Sequence, residues 1–422
     1  MRRLVLTWGA VMILVGAGPA AAAAQSPGAG QALTKALNRG IGRIGGATSA
    51  YVVDMNTGQT LYSVGAGVGR LPASLEKIYT TSTALLRFGP NATLSTSVFG
   101  TGSLDIHGTW QGVLYLKGGG DPTFGSTTFD NSAYGTGATV QRLVWNLIHS
   151  LHIRAIKGKI VGDESYFDSL RGTPPTAFGV DLADVEGQLS ALAFNRGFAN
   201  FEGTLAQPRP ALYATQQFVS ALKAAGVRVP PHTPVFTGAA PPGARRLATV
   251  RSPTIATLVH LTNSPSDSYL AEMLLKGLGA LFGGAGTTAA GAAVVRSELA
   301  DQFGIGPQLN DGSGLSRADH TSPRQVVTVL RRMYSNPDFF NSLAIAGETG
   351  TLKHYSNGTS AQGTCHGKTG TLHDVADLAG YCRARDGHEL AFAFLANGLV
   401  NADYVHLVEA DQLAPALANY DG

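Results

Sequence analysis

A long interruption in the sequence pattern constrains the fold of this chain more than any other feature. Between about residues 91 and 248, short strand-like runs are separated by glycine and proline. The residues before this stretch indicate a hairpin at 48–63 and then a helix at 74–88, and helical spacing returns after it at 269–281 and 323–333. The pattern therefore predicts a mixed α/β fold that is interrupted by a separate, β-rich insert.

The N-terminus has the three-part layout of a secretory signal. Arg2 and Arg3 precede an apolar stretch from Leu4 to Val15, and an alanine run ends at Ala24. The alternative is a membrane anchor, but this apolar centre is shorter than the ~20 residues that span a bilayer. We therefore expect a cleaved signal, no stable membrane span, and export to the periplasm or the extracellular cell envelope.

Composition and length exclude several classes of protein. Lys and Arg number 31 against 28 Asp and Glu, and the net charge of +3 is too small to indicate a nucleic-acid partner. Two cysteines cannot form a four-thiolate zinc site, and the histidines show no metal-ligand spacing, so we expect neither a metal nor a cofactor. The expected organisation is a signal peptide at 1–24, a split core domain at 25–92 and 248–422, and an inserted β-rich domain at 93–247.

A serine three residues before a lysine is the first sign of chemistry. On a helix, Ser74 and Lys77 share one face, where a neutral amine can take the proton of the hydroxyl. Such a base needs burial or a second cation to lower its pKa, and Lys368 can be that cation. The same spacing recurs at Ser220 and Lys223, where an amphipathic pattern favours a solvated helix face instead.

Two further motifs follow in chain order. Ser266 in the run Ser266-Asp267-Ser268 can relay a proton to a leaving amine. The run Lys368-Thr369-Gly370 offers an ammonium and a hydroxyl to a substrate carboxylate, and glycine permits a close approach. A similar run at 347–352 lacks the cation, and the run Asp311-Gly312-Ser313-Gly314 is interpreted as a loop near the rim of the active site.

Seven longer segments carry a resemblance to a known family. They are PASLEKIYTTSTAL, LYLKGGGDPTF, GDESYFD, SPSDSYLAEMLLK, DGSGLSRADHTSP, AGETGTL and GKTGTLHDVADLAGYC. In these segments the chain resembles the D-alanyl-D-alanine carboxypeptidase/endopeptidases, which are class C low-molecular-mass penicillin-binding proteins. The resemblance runs from about residue 48 to residue 397. It implies a serine β-lactamase/transpeptidase-like core, with an antiparallel sheet flanked by helices, plus the inserted domain.

The resemblance implies a role for each matching residue. Ser74 would attack the carbonyl between two D-alanines of a peptidoglycan stem peptide and form an acyl-enzyme, with Lys77 as general base and Ser266 as proton shuttle. The backbone N–H groups of Ser74 and Thr371 would form the oxyanion hole. β-Lactams would acylate the same serine and leave slowly. The residues expected to contact substrate are Ser268, Lys368, Thr369, Gly370, Thr371 and, near the amino group of the peptide, Asp163.

One departure from the family pattern leaves alternatives open. Ser268 stands where the family usually has asparagine, and a hydroxyl makes fewer hydrogen bonds than an amide. The chain can therefore be an active carboxypeptidase/endopeptidase or a catalytically impaired envelope protein that binds penicillin and peptidoglycan. A β-lactamase-like serine hydrolase is a further alternative, but it needs an efficient deacylating base that the sequence does not indicate.

The two cysteines lie on strand-like runs at 363–372 and 378–383. If these strands pair as a hairpin about residues 373–374, Cys365 and Cys382 face each other. The sequence therefore predicts a cross-strand disulfide beside Lys368-Thr369-Gly370, with a stabilising contribution of about 2–4 kcal/mol.

Overall fold

The computed structural model describes residues 27–172 and 185–422. Across these ranges the strands form one sheet of six strands, one of five and a short pair, with helices packed around them. The fold is therefore mixed α/β, as the sequence predicts. The predicted signal peptide at 1–24 lies outside the described residues, so it stays a prediction. Within the described ranges, no helix is long and apolar enough to cross a membrane.

The larger sheet is antiparallel and joins the two ends of the chain. In order across the sheet, its strands are β10 (Ala344–Ile345), β11 (Cys365–Leu372), β12 (Val375–Arg383), β13 (Glu389–Asn397), β1 (Ala47–Asp54) and β2 (Thr60–Val64). The hairpin predicted at 48–63 is confirmed as β1 and β2, and β1 pairs along its whole length with β13. Strands β12 and β13 are buried almost throughout because apolar helices cover both faces of the sheet.

Alternate side chains of the larger sheet pack against different helices. Tyr51 and Val53 belong to one apolar cluster, whereas Ala50 and Val52 belong to another, as expected for the two faces of one strand. The first cluster involves α2 (Glu76–Phe88), α6 (Ile255–Asn263), α7 (Ser268–Phe282), α8 (Thr288–Phe303), α9 (Pro323–Met333) and α10 (Pro337–Phe340). The second involves α1 (Pro27–Ile44), α11 (Ala402–Val408) and α12 (Ala414–Ala418). The larger sheet is therefore the centre of a layered core.

A second sheet is formed by the stretch that interrupts this core. In order, its strands are β8 (Val235–Thr237), β7 (Ala155–Asp163), β4 (Thr109–Gly118), β3 (Thr93–Leu104) and β9 (Arg245–Thr254). Strands β4, β7 and β8 run parallel, and helices α4 (Val140–Leu151) and α5 (Pro210–Ala224) pack against the sheet around Trp110 and Phe218. A short helix α3 (Thr127–Ala133) lies between the paired strands β5 (Phe124–Gly125) and β6 (Ala138–Thr139). The stretch thus contains helices as well as strands, and the domain boundaries at 93 and 247 stay a prediction.

Helices α1, α6 and α8 are not predicted from the sequence. Helix α8 lacks a clear apolar stripe because much of its first half is alanine and glycine. It packs closely on α7 instead: a Cβ atom at Gly291 would lie 2.2 Å from the carbonyl oxygen of Leu275. The small residues that hide the helix from a periodicity argument are therefore the ones that its packing requires.

The predicted disulfide is confirmed. Cys365 and Cys382 stand directly opposite each other in the antiparallel pair β11 and β12, and both are buried. A tight turn joins the two strands, and β11 carries Lys368, Thr369 and Gly370 as well as Cys365. The bridge therefore ties that strand to the centre of the sheet.

Replacing both Cys365 and Cys382 by alanine is expected to lower the free energy of unfolding by roughly 3 kcal/mol, because the bridge closes a 17-residue separation in the unfolded chain. Urea denaturation of the oxidised protein and of the double variant measures this difference. As a control, both proteins are repeated with a thiol reductant, where their midpoints should converge. Equal midpoints under oxidising conditions would contradict the prediction.

Candidate active site

Ser74 lies in a strained turn at the start of α2. A single 3₁₀ turn, Ala73–Leu75, leads directly into the helix, and Ser74 is only half-buried. Ala73 has φ 43°, in the left-handed region that residues with a side chain rarely adopt. The carbonyl of Ala73 approaches Gly314 so closely that a Cβ atom there would lie 1.7 Å from the oxygen. Backbone strain of this kind is typical of functional sites, and here it fixes the position of a serine hydroxyl.

Lys77 is completely buried and has three hydrogen-bond acceptors. Its Nζ donates to the Oγ of Ser74 at 2.7 Å, to the carbonyl oxygen of Ser313 at 3.0 Å and to the Oγ of Ser268 at 3.3 Å. Burial lowers the pKa of Lys77 to about 8, although carboxylates including Asp311 oppose the shift. About a tenth of Lys77 is therefore neutral at pH 7, far more than for a lysine in water.

Lys368 is the second buried lysine of the site. Its Nζ donates to the Oγ of Ser266 at 2.7 Å and to the carbonyl oxygen of Thr369 at 2.8 Å. Burial, and then the positive charge of Lys77, hold the pKa of Lys368 well below its usual value. From the sequence, either burial or a second cation such as Lys368 could lower the pKa of Lys77. In the structure, burial is the main cause of the lowered pKa of Lys77, whereas the charge of Lys77 lowers the pKa of Lys368.

The residues after Lys368 face the turn that carries the serine. Thr369 donates a hydrogen bond through Oγ1 to the Oγ1 of Thr351 at 2.8 Å. A Cβ atom at Gly370 would lie 2.7 Å from the carbonyl oxygen of Pro72, so glycine allows β11 to approach the turn before Ser74. Thr371 is exposed, and its Oγ1 lies 2.7 Å from the Nε2 of His406. Strand β11 therefore forms one wall beside Ser74.

The middle motif begins α7 and is held by an arginine from the interrupting stretch. Ser266 has φ 68°, a left-handed conformation, and the side chain of Asp267 caps the helix by accepting from the N–H of Leu270 at 2.8 Å. Arg196 donates to both carboxylate oxygens of Asp267, at 2.8 and 2.9 Å. This bidentate pair positions Ser266 and Ser268 on either side of it.

The structure brings together all predicted site residues but one. Lys77 bonds to Ser74 and Ser268, and Lys368 bonds to Ser266. The two groups are close enough for the charge of Lys77 to act on Lys368, and Thr369, Gly370 and Thr371 continue along the strand of Lys368. Asp163 instead lies at the end of β7 in the second sheet. Its buried carboxylate accepts from the N–H groups of Ser165 and Ala240 and lies 3.4 Å from Lys117, and none of these partners belongs to the group around Ser74.

The interpretations of the look-alike segments have different outcomes. Ser220 and Lys223 lie on exposed positions of α5, as the amphipathic pattern predicts, and the hydroxyl of Ser220 donates to the carbonyl of Gln216 on the same helix. The loop at 311–314 is not at the rim, because all four of its residues are buried and the carbonyl of Ser313 contacts Lys77. The run at 347–352 supplies Thr351, which contacts Thr369. The contacts of Ser313 and Thr351 arise from tertiary packing, which residue type alone does not reveal.

Other site residues escaped the sequence argument for identifiable reasons. Ser313 contributes a backbone carbonyl, which every residue type has. Arg196 lies 71 residues before Asp267, in a stretch without a motif. For Thr351, the similarity between residues 347–352 and residues 367–372 could have indicated a place near the substrate-binding strand. In the part of the chain that the structure describes, no group of three or more His, Cys, Asp or Glu side chains can hold a metal ion.

A serine hydroxyl bonded to a buried lysine, set between a helix and a sheet strand, defines a serine hydrolase of the transpeptidase-like fold. Residues 30–186 and 176–420 match the D-Ala-D-Ala carboxypeptidase 3 (S13) family, and the chain belongs to that family of serine carboxypeptidases. A D-alanyl-D-alanine carboxypeptidase of Actinomadura sp. (strain R39) is 30% identical over 501 aligned positions, which cover 97% of this chain and 89% of the relative. The alignment is longer than this chain, so the relative carries segments that this chain lacks.

A solved structure supports the same fold. Penicillin-binding protein 4 from Haemophilus influenzae superimposes with a TM-score of 0.73 at 20% sequence identity, covering 92% of this chain and 98% of that protein. The same protein in complex with a β-lactam superimposes with a TM-score of 0.68. The predicted fold class, an antiparallel sheet flanked by helices with an additional unit, is therefore confirmed, and the chain is similar to class C penicillin-binding proteins.

Replacing Arg196 by alanine is expected to lower the free energy of unfolding by roughly 3 kcal/mol, because the largely buried carboxylate of Asp267 loses its counter-charge. Urea denaturation measures the loss. The matched control is Lys223→Ala, which removes a cation from an exposed helix position and should change stability by less than about 0.5 kcal/mol. Equal effects of the two changes would show that the pair with Asp267 contributes no stability.

Proposed function

We propose that this chain is an exported serine D-alanyl-D-alanine carboxypeptidase/endopeptidase that cleaves peptidoglycan stem peptides through an acyl-enzyme at Ser74. The observation that carries the proposal is the 2.7 Å hydrogen bond between the Oγ of Ser74 and the Nζ of a fully buried Lys77. The family membership supports a hydrolase that acts on peptidoglycan. The N-terminal signal pattern and the disulfide support export to an oxidising compartment.

In the proposed acylation step, neutral Lys77 takes the proton of Ser74 while its Oγ attacks the carbonyl between the two D-alanines. The developing oxyanion lies between the backbone N–H groups of Ser74 and Thr371. Lys77 then returns the proton to the departing amine of D-alanine through the hydroxyl of Ser266. The contact of Ser266 with Lys368 at 2.7 Å supports this path because it holds the hydroxyl in the site.

The proposed carboxylate site uses Lys368 and Thr369. A buried lysine without a counter-charge is costly, and the terminal carboxylate of the substrate would supply that charge. The hydroxyl of Thr369 on β11 donates to that of Thr351, which lies in the 3₁₀ turn Gly350–Leu352, so two hydroxyls lie side by side next to Lys368. A site that binds a free carboxylate next to the scissile bond would accept two kinds of substrate. One is the C-terminal end of a stem peptide, and the other is a cross-link whose D-alanine carries a free carboxylate.

Deacylation requires water to attack the ester at Ser74, with Lys77 again as the base. β-Lactams are proposed to form the same ester at Ser74 and to leave slowly; the similar protein of Haemophilus influenzae has been solved in complex with a β-lactam. Asp163 stays a prediction for the amino group of the peptide. Its carboxylate is already occupied by two backbone N–H groups, which gives this role no support in the free protein.

A second candidate function is a catalytically impaired envelope protein that binds peptidoglycan and penicillin. Ser268 favours it, because one hydroxyl contacts Lys77 at 3.3 Å and cannot also offer the acceptor and two donors of an amide to the substrate. Against it, the hydroxyl keeps the contact with the base. The two functions differ in turnover, which an assay can separate from acylation.

Fluorescent penicillin is expected to label the protein at Ser74 and not at the second Ser-x-x-Lys. Ser74→Ala should abolish labelling, and the matched control Ser220→Ala should leave it unchanged because Ser220 lies on an exposed helix face. Labelled protein that releases no D-alanine from a wall pentapeptide would support the impaired protein. Labelling of Ser74→Ala would overturn the proposed nucleophile.

Acylation is expected to accelerate with pH because the active form of Lys77 is neutral. Below its pKa of about 8, the neutral fraction rises about tenfold per pH unit, so the rate should rise about tenfold from pH 6 to pH 7 and level off above pH 8. Stopped-flow measurement of penicillin labelling gives the profile. A rate that is independent of pH across this range would exclude Lys77 as the base.

A further inference from the structure

The buried loop Asp311–Gly314 lies directly beneath the proposed base. The carbonyl oxygen of Ser313 accepts from Lys77 at 3.0 Å, and the carbonyl of Gly312 accepts from the Oγ1 of Thr80, one turn further along α2, at 2.8 Å. Two consecutive carbonyls of the loop therefore face α2. The position of the Ser313 carbonyl determines whether the ammonium of Lys77 has its third acceptor.

Two carboxyl groups hold this loop in place. Asp311 accepts from three backbone N–H groups of its own loop, those of Ser313 at 3.2 Å, Gly314 at 2.7 Å and Ser316 at 2.8 Å. Glu272 reaches the loop from α7, where its Oε1 accepts from the N–H of Gly312 at 2.9 Å. This bond is the link between the loop and the helix that begins with Ser268. It holds the 311–312 peptide unit, which lies two units before the one whose carbonyl Lys77 contacts.

The surroundings of Glu272 favour its neutral form. Its side chain is fully buried, and burial together with the nearby Asp311 raises its pKa. A protonated carboxyl can still accept from Gly312 through its carbonyl oxygen. The charged or titratable groups that face Glu272 are Glu76, Lys77, Asp311 and Lys276. Those that face Lys77 are Glu76, Glu186, Asp267, Glu272, Asp311 and Lys368.

We propose that Glu272 is a positioning residue for Lys77: by accepting a hydrogen bond from the N–H of Gly312, it holds the Ser313 carbonyl where that carbonyl binds the ammonium. The inference rests on the proposed function, since it assigns a support to the proposed base. Glu272 does not touch the substrate or the reacting atoms, and it acts through one loop. Its effect should therefore appear in the behaviour of Lys77 and not in a separate chemical step.

Two substitutions of Glu272 separate its acceptor from its shape. Glu272→Gln keeps a neutral acceptor for the N–H of Gly312, so the rate of penicillin acylation should stay within about threefold of the unmodified protein. Glu272→Leu keeps a similar volume but leaves that N–H unpaired, and the loop should move away from Lys77. The plateau rate of acylation should then fall about tenfold or more.

The pH profile distinguishes positioning from a general loss of packing. Loss of the Ser313 carbonyl removes an acceptor that stabilises the ammonium, so the pKa of Lys77 should fall and the rising limb should move to lower pH in Glu272→Leu. Glu272→Gln should keep the limb of the unmodified protein. The matched control is Glu298→Gln, a buried glutamate of α8 that pairs with Arg87, which should change neither rate nor limb.

A second variant covers the case in which Glu272→Leu does not fold. A Cβ atom at Gly312 would lie 2.9 Å from the Cβ of Leu275 and 3.1 Å from the carbonyl oxygen of Ala271, so Gly312→Ala should push the same loop away from α7 without changing any charge. Its plateau rate of acylation should fall in the same way, and the rising limb of its pH profile should move to lower pH. The test thus uses either variant, with thermal unfolding to establish that each is folded.

Each outcome decides the inference. The inference is supported if Glu272→Leu or Gly312→Ala has a slower plateau rate of acylation and a rising limb at lower pH, while Glu272→Gln keeps the rate and the limb of the unmodified protein. A folded Glu272→Leu with the rate and limb of the unmodified protein overturns it, as does a Glu272→Gln that is as slow as the leucine variant. Ser74→Ala is run in parallel: if that variant still reacts with penicillin, the proposed function fails, whereas a silent Ser74→Ala leaves it intact whatever Glu272 does.

Discussion

Burial of the Lys77 amine is the constraint on which the rest of the site depends. An ammonium removed from water must have acceptors for its protons, and Lys77 finds them in Ser74, Ser268 and the carbonyl of Ser313. These three partners come from the turn before α2, the start of α7 and a loop more than 200 residues further along the chain. The parts of the chain that precede and follow the interrupting stretch therefore meet at this one amine.

The interrupting stretch nevertheless reaches back to the site. Arg196 neutralises Asp267, and Asp267 caps the helix that presents Ser268 to Lys77. The capping side chain uses one oxygen for both the helix and the arginine, so the start of α7 and the stretch are fixed together. The interrupting stretch, which the sequence pattern predicts to be separate, thus helps to position the motif Ser266-Asp267-Ser268.

The sequence predicts those parts of the molecule whose cause is local. The pairing of Cys365 with Cys382 follows from hairpin symmetry, and α9 begins at Pro323 as predicted, where Ser322 and Gln325 form a capping box. Residue type also predicts Ser74 with Lys77. The acceptor at Ser313 is a backbone atom brought in by tertiary packing, and α8 depends on close contact at Gly291 in place of an apolar stripe. Neither cause leaves a periodic or compositional signal.

The two buried lysines explain how one site can hold both a base and a cation. Lys77 and Lys368 are near enough for the charge of one to lower the pKa of the other, so carrying both charges without a counter-ion is unfavourable. In the proposed reaction, the substrate carboxylate binds beside Thr369 and therefore next to Lys368. That carboxylate would supply the counter-charge that the ammonium form of Lys368 needs in its buried position. Lys368 can then stay cationic and hold the substrate, while burial keeps a neutral fraction of Lys77 for the attack by Ser74.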